Sequence, residues 1–493
     1  MNLLFRTGTA CVLLLLAACA TQAPSSSVMT EIPAQWHSPL PDGAQAMGTP
    51  LPHNGALTDL SQWWQQQGDP LLVQMIDAAQ TVSPSVASAK SRIEQSRTAR
   101  VAAGAALLPV LDASASVARS NAQPPLPMGT TTQAALQPSW EIDLFGGNSA
   151  TRDAAQARLE GAAAGWHEAR VAVAAEVANQ YYSLRACENL LAIAISDAAS
   201  RAETARLSEL SMNAGFAAPA TTALARASAA ESNARATQQR ALCALDIKAL
   251  VALTAMPESD LRTRIADASN AAASSAATAT IAVPSLPAQL LAQRPDVFAA
   301  EREVAAASAD VGSAQAQRYP KLSLSGSIGA ARFHTGGTNT DLPTWSIGPL
   351  ALSVPLFDAG RRAANVDSAR ARYEEAAINY HASIRKAVRE VEEALVALQS
   401  TAARSDDARI AAEGYRTSFN ATESRYKNGL TSLVELEDSR RVRLAAENGL
   451  VTLERERRTA WVALYRALGG GWTPDATPVP ARAAAPASVS AQR

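Results

Sequence analysis

The stretch RYPKLSLSGSIGA, residues 318–330, changes its period in mid-run. From Leu322 onward, apolar and small polar residues alternate: Leu322, Leu324 and Ile328 against Ser323, Ser325 and Ser327. A period of two puts the first set on one face of a β-strand and the second on the other. The surrounding chain is Ala-rich with helical spacing, so an isolated strand with one apolar and one wet face needs an explanation.

The pattern occurs twice. LLPVLDASASVA (107–118) resembles RYPKLSLSGSIGA, WEIDLFGG (140–147) resembles SVPLFDAG (353–360), and MNAGFAAPATTALA (212–225) resembles YKNGLTSLVELEDS (426–439). Counted from the first residue of each stretch, their offsets are 211, 213 and 214 residues, in the same order. A repeat of that length is a duplicated half-protein rather than a solenoid unit. Each half reads as helix, strand, loop, strand, long helix, break and helix. The strands are expected at Leu111–Ala118 and Ala135–Leu144, then at Lys321–Arg332 and Thr344–Leu356. In the last of these the alternation slips around Gly348-Pro349, which suggests a bulge or a bend.

Between Arg361 and Asn428 there is no proline and one glycine, Gly414. Val366, Tyr373, Ala377, Tyr380, Ile384, Val388, Val391, Leu395 and Leu398 advance there mostly by threes and fours, a helical stripe. Such a helix is about 100 Å long at 1.5 Å per residue, far more than a single-domain core requires. Its counterpart runs from about Ala150 to Asn213. Four strands with one lipid-like face fit a transmembrane barrel, in which closure leaves no edge unpaired. Four cannot close by themselves, since barrels begin at about eight, so copies must pool strands. The alternative is two amphipathic hairpins packed on a soluble core. A Trp near each second strand suits a membrane interface.

The net charge of −1 gives no reason to expect nucleic acid as a partner. At the N-terminus, Arg6 precedes an apolar run ending in small residues, as in a secretory signal. Leu16-Ala17-Ala18-Cys19 matches a bacterial lipobox, which makes Cys19 the expected site of lipidation after cleavage. Ala20 is not the Asp that retains lipoproteins in the inner membrane, so the expected address is the periplasmic face of an outer membrane. The Ser- and Pro-rich segment after Cys19 reads as a tether. Cys187 and Cys243 remain in an oxidising compartment, each 28 residues from Gly215. Antiparallel helices bring such positions level, so a disulfide is geometrically open to them, with two buried thiols as the alternative.

LPAQLLAQRPDVFAAEREVAAASADVGSAQAQRYPKLSLSGSIG (286–329) resembles the hallmark segment of the outer membrane efflux proteins, TolC-like ducts, here of the lipoprotein NodT/OprM type. Arg294-Pro295-Asp296, Glu301-Arg302 and Tyr319-Pro320 carry the likeness, with WWQQQGDPLL (63–72) and ALGGGW (467–472) as opening and closing motifs. The resemblance implies a mainly α fold with a membrane β-barrel. Three protomers would give twelve strands, continued by a long α-helical barrel through the periplasm. It also implies a homotrimer in the outer membrane of a Gram-negative bacterium, surrounded by outer membrane lipid. Its partners would be a periplasmic adaptor (membrane fusion protein) and an inner-membrane RND-type transporter. The implied function is passive exit of drugs or other small molecules from a tripartite efflux pump.

The expected division is a signal peptide 1–18, an N-terminal linker 19–60, a first repeat 61–256, an equatorial or linker segment 257–285, a second repeat 286–472 and a disordered tail 473–493. Gly215 and Gly429 mark the hairpin turns. After Gly429 the next helix starts near Thr431 or Ser432, either a plausible N-cap. Glu435 and Asp438, three residues apart, share one helical face. They match the family's paired acids at the periplasmic constriction, where three copies would supply six carboxylates. Tyr426 matches a gate-tying tyrosine, and Thr431 stands where some relatives carry an Arg that ties protomers together. The alternative is that both acids face solvent near a helix N-terminus, where they suit the dipole. Thr221 and Leu224 occupy the corresponding places in the first half, so no second acidic ring is expected.

No catalytic pattern is present. His37, His53, His167, His334 and His381 lack metal-ligand spacing, and there is no phosphate loop or nucleophile elbow. The sequence thus points to no enzyme, no metal and no cofactor beyond a lipid on Cys19. Arg440-Arg441-Val442-Arg443 reads as part of a solvated or helix–helix face. The competing functions are a type I protein secretion duct and a lipid-anchored periplasmic scaffold of long helices. The scaffold has no use for lipid-facing strands.

Overall fold

The computed structural model describes residues 23–30, 32–38, 63–121, 128–272 and 294–472. Among these, the helices are α1 (Trp63–Gln66), α2 (Pro70–Val82), α3 (Pro84–Ala105), α4 (Gly147–Asn213), α5 (Pro219–Thr254), α6 (Glu258–Ala272), α7 (Pro295–Ala316), α8 (Arg361–Lys427) and α9 (Leu433–Ala467). The strands are β1 (Val110–Ser120), β2 (Gly129–Ile142), β3 (Lys321–Thr335) and β4 (Thr338–Ser353). The duplication is evident in element lengths: α3 and α7 have 22 residues each, α4 and α8 have 67 each, and α5 and α9 have 36 and 35.

The described residues divide into two compact units, one drawn from the spans 1–30, 90–163 and 298–383, the other from 31–89, 164–297 and 384–493. Each sequence half therefore contributes to both units. Cys19 and the tail 473–493 lie outside the described residues, as do most of the 19–60 linker and much of the 257–285 segment. Glu258–Ala272 of that segment is helical.

In the first unit, the four strands form one antiparallel sheet in the order β1-β2-β3-β4. All four expected strands are present and run somewhat longer at the hairpin ends. The slip in the alternation is a bulge: Leu324 pairs with Leu350 and Gly326 with Ile347, so Ser325 faces both Gly348 and Pro349. Beneath the sheet, small side chains let helices approach closely, as where Ala154 and Ala157 meet Ala306 and where Val311 and Ala314 meet Val366 and Ala369.

The segment after Cys19 is not a free tether where it is described. Ser308 donates a hydrogen bond to the Pro24 carbonyl (2.6 Å) and the Tyr373 hydroxyl to that of Ser25 (2.9 Å). Thr30 Oγ1 lies 2.8 Å from His381 Nδ1, and Val28 packs on Val304, Ala307 and Ala376. Composition showed only that the segment could not build a core of its own; its partners are supplied by α7 and α8.

In the second unit, a core gathers Trp63, Leu72, Met75, Tyr181, Leu184, Leu250, Leu261, Val391, Leu395, Trp461 and Leu464. The WWQQQGDPLL motif is structural. Asp69 caps α2 by accepting from the Leu71 and Leu72 amides, Pro70 supplies its first turn, and the Tyr181 hydroxyl donates to Asp69 Oδ2 at 2.5 Å. Trp63 stacks on Tyr465 with ring centroids 5.1 Å apart. Arg294 of the Arg-Pro-Asp element is buried and holds Asp296 (2.6 Å), Glu390 (2.8 Å) and the Ala467 carbonyl (3.0 Å). That element thus fastens the start of α7 to α8 and to the end of α9.

Cys187 and Cys243 are joined by a disulfide with Cα atoms 5.5 Å apart, across 56 residues of sequence. Closing a loop of that length stabilises by roughly 4 kcal/mol in the chain-entropy model. Cys187→Ser with Cys243→Ser is therefore expected to lower stability by about that amount in denaturant unfolding. Mass spectrometry of non-reduced peptides should recover the linked pair; two alkylatable thiols would refute the bridge.

Candidate functional site: a two-faced sheet and an acidic hairpin turn

The cross-strand register sorts the sheet into rows of side chains on each face. One face stacks Ile142, Leu322 and Leu352; then Trp140, Leu324 and Leu350; then Leu111 with Pro138, and Gly326 with Ile347. Ala113, Leu136, Ile328 and Trp345 follow, then Ala115, Ala134, Ala330 and Pro343. These five rows from Leu322 to Ala330 extend about 27 Å along the strand, comparable with the apolar band of a transmembrane barrel. On the same face the next row is Val117, Thr132, Arg332 and Asp341, where the apolar character ends; Arg332 and Asp341 form an ion pair of 2.6 Å. Trp140 and Trp345 stand toward opposite margins of the band, as interfacial aromatics do.

The other face carries Asp112, Ser114, Ser116, Gln133, Gln137, Ser139, Glu141, Ser323, Ser325, Ser327, Thr344 and Ser346. Ile328, Trp345 and Ile347 are 63, 74 and 88 % exposed in the protomer. An apolar surface of that extent is not tolerated by water. Among the described residues, no strand lies beside the outer edges of β1 and β4. In hydrocarbon those edges must be paired. No helix among the described residues is long and apolar enough to cross a membrane.

In the second unit, both hairpin turns close in the same way. The Gly429 amide donates to Tyr426 O (2.9 Å) and Leu430 N to Arg425 O (2.9 Å); Gly215 N donates to Met212 O (2.9 Å) and Phe216 N to Ser211 O (2.8 Å). These are Schellman C-caps, and both glycines take the positive φ they require, 71° at Gly429 and 81° at Gly215. After Gly429 the N-cap is Ser432, whose hydroxyl accepts from the Glu435 amide at 3.2 Å. The first turn has no such cap; Pro219 starts α5 instead.

Glu435 and Asp438 lie together on the exposed side of α9, 52 and 62 % exposed. Each carries an arginine partner that no motif in the sequence signals. Arg425 Nη1 is 3.2 Å from Glu435 Oε1, Thr431 also hydrogen-bonds Glu435, and Arg441 pairs with Asp438. Exposed pairs of this kind are worth little, but they set the charge that remains once an acid is removed. Tyr426 packs against Ala205, Ala225, Phe419, Leu433 and Leu436, and burial pushes its hydroxyl pKa up.

The basic run at 440–443 divides in two. Arg441 is exposed, whereas Arg440 is fully buried and Arg443 nearly so. Arg440 is 2.6 Å from Glu437, donates to Ser200 (2.8 Å) and Thr204 (3.2 Å), and is 3.8 Å from Asp197. Burial lowers its pKa, against the opposing charge of Glu437. Arg201 pairs with Asp197 (2.9 Å) and Glu437 and reaches Ser228 of α5. Arg443 lies over the Phe419 ring at 4.1 Å. The clue available in the sequence was spacing: Arg440, Arg443 and Glu447 continue the three-four stripe begun by Leu433 and Leu436.

An amphipathic sheet with open edges and long helical hairpins ending in capped turns define an outer membrane channel protomer. The outer membrane efflux protein profile matches residues 75–255 and 286–470, and the chain belongs to that family. It is 31% identical over 481 residues to the pyoverdine export outer membrane protein OpmQ of Pseudomonas putida, covering 93% of this chain and 96% of that protein. Among solved structures, the outer-membrane channel OprN superposes with a TM-score of 0.77 at 27% identity, covering 92% of this chain and all of that one. The outer membrane protein VceC of Vibrio cholerae gives 0.71 at 27% identity, over 83 and 98% of the two chains. The protein is thus an outer membrane protein of the efflux class with the TolC-like channel fold.

Proposed function

We propose that the chain is the exit duct of a tripartite efflux pump, conducting drugs or other small molecules passively to the exterior. The observation that carries this reading is the sheet: five apolar rows backed by a polar face, with both edges open. Three copies would close twelve strands, an even number within the range of outer-membrane barrels. The partners are a periplasmic adaptor and an inner-membrane RND-type transporter, as the family membership supports. A lipid on Cys19 anchors the chain, as its lipobox supports. Glu435 and Asp438 form the ring at the periplasmic constriction, with Tyr426 tying its helix in place.

The reading is tested in cells. Deleting the gene is expected to raise accumulation of a fluorescent efflux dye and to be reversed by the wild-type chain. Cys19→Ala should lose the lipid mass from the mature protein. Unchanged dye accumulation with impaired export of a polypeptide would move the duct to type I secretion.

A further inference from the structure

The buried charges of α9 occupy the place where a helix stripe is normally apolar. Leu433, Leu436, Arg440, Arg443 and Glu447 form one buried face. At 100° per residue, Glu435 stands about 140° and Asp438 about 160° around the helix from Arg440. Whatever fixes the seat of Arg440 therefore fixes the direction of both carboxylates.

That seat is specific. The guanidinium meets Glu437 on its own helix, Asp197, Ser200 and Thr204 on α4, and Glu423 on α8 at 4.0 Å, with the Phe419 ring 5.4 Å away. Ser200 in turn donates to Glu423 at 2.8 Å, and Arg201 joins Glu437 to Asp197 and to Ser228 of α5. All four helices of the two hairpins thus converge on one polar cluster. An apolar stripe tolerates sliding by a turn or a small rotation, because one leucine replaces another. A guanidinium with fixed donors does not, since a shift would leave buried charges unpaired. A single polar core position sets register in coiled coils for this reason, at a cost in stability.

We propose that Arg440 is a positioning residue: with Glu437, Asp197 and Arg201 it fixes the rotation and axial register of α9 against α4, and so aims Glu435 and Asp438 at the conduction path. This rests on the duct reading above. The role is one of specificity rather than stability, and the two can be separated. Arg440→Met with Glu437→Gln removes one positive and one negative charge, and with them the Arg440–Glu437 and Arg201–Glu437 pairs, while the Arg201–Asp197 pair and the Arg201–Ser228 bond keep both partners.

The test measures single-channel conductance and cation-to-anion permeability of the purified full chain in planar bilayers, with thermal unfolding and oligomer integrity followed in parallel. The expected result is a variant that assembles and unfolds near the wild-type temperature, yet shows a several-fold smaller permeability ratio and a broader spread of conductance levels. Arg440→Lys keeps the charge but not the fork of donors, and it should show the same change. An assembled variant with the wild-type ratio and a single conductance level would overturn the proposal. Failure of both variants to assemble would also overturn it, by assigning Arg440 to stability alone. A wild-type chain without any conductance would instead sink the duct reading itself.

Discussion

Ile328→Arg is expected to abolish insertion of the protein into membranes, whereas Ser327→Arg, one residue away, is expected to leave it intact. Ile328 lies in the apolar rows between Leu136 and Trp345, and Ser327 lies on the opposite face beside Ser346, their hydroxyls 2.9 Å apart. An arginine on the lipid face near mid-depth costs about 2–4 kcal/mol in a membrane barrel, and in a homo-oligomer that cost recurs in every copy. The polar face leaves the same side chain in water. The contrast is read by heat-modifiable migration on gels and by membrane fractionation after alkaline wash. Equal tolerance of both substitutions would mean that the sheet does not face lipid, and would favour two hairpins packed against a soluble surface.

Glu435→Gln with Asp438→Asn is expected to turn a cation-favouring pore into an anion-favouring one, not merely to weaken its selectivity. The reason is the pair of arginines beside the acids. With the carboxylates gone, Arg425 and Arg441 remain, so three protomers lose six negative charges and keep six positive ones. One unit charge about 6 Å from the ion path changes a monovalent ion's energy by about 0.7 kcal/mol even at the dielectric constant of water, roughly threefold in partitioning. The summed effect is larger at low salt and shrinks as the Debye length falls. Reversal potentials across a salt gradient measure it. The converse variant, Arg425→Gln with Arg441→Gln, should raise cation preference. An unchanged reversal potential in both would remove Glu435 and Asp438 from the conduction path.

Much of this architecture is written plainly in the sequence, for physical reasons that differ by element. Strand alternation is legible because a membrane strand has two solvents and therefore strict period-two chemistry, as at Leu322 to Ile328. The 67-residue helices are legible because nothing interrupts them between Gly147 and Asn213 or between Arg361 and Lys427. Gly215 and Gly429 are legible because Schellman caps need a positive φ. Pairings between distant segments are less so. Whether Arg440 belongs to a solvated or a helix–helix face is not legible, because its partners Asp197, Ser200 and Thr204 lie more than 230 residues upstream. Arg425 and Glu435 face each other only because the Gly429 turn folds one helix end onto the next, and a count of acids along α9 does not include it. The docking of Ala23–Thr30 on α7 and α8 was hidden for the same reason: low-complexity sequence reveals what a segment cannot do alone, not what binds it.

Single-channel recording of the purified, lipid-inserted wild-type chain tests the central claim most directly. The account predicts discrete conductance steps from the assembled oligomer, cation-favouring at low salt, with none from dissociated protomers. A folded, inserted and oligomeric protein that conducts no ions under any applied voltage, and still conducts none with Glu435 and Asp438 neutralised, would contradict it and leave a lipid-anchored helical scaffold in its place.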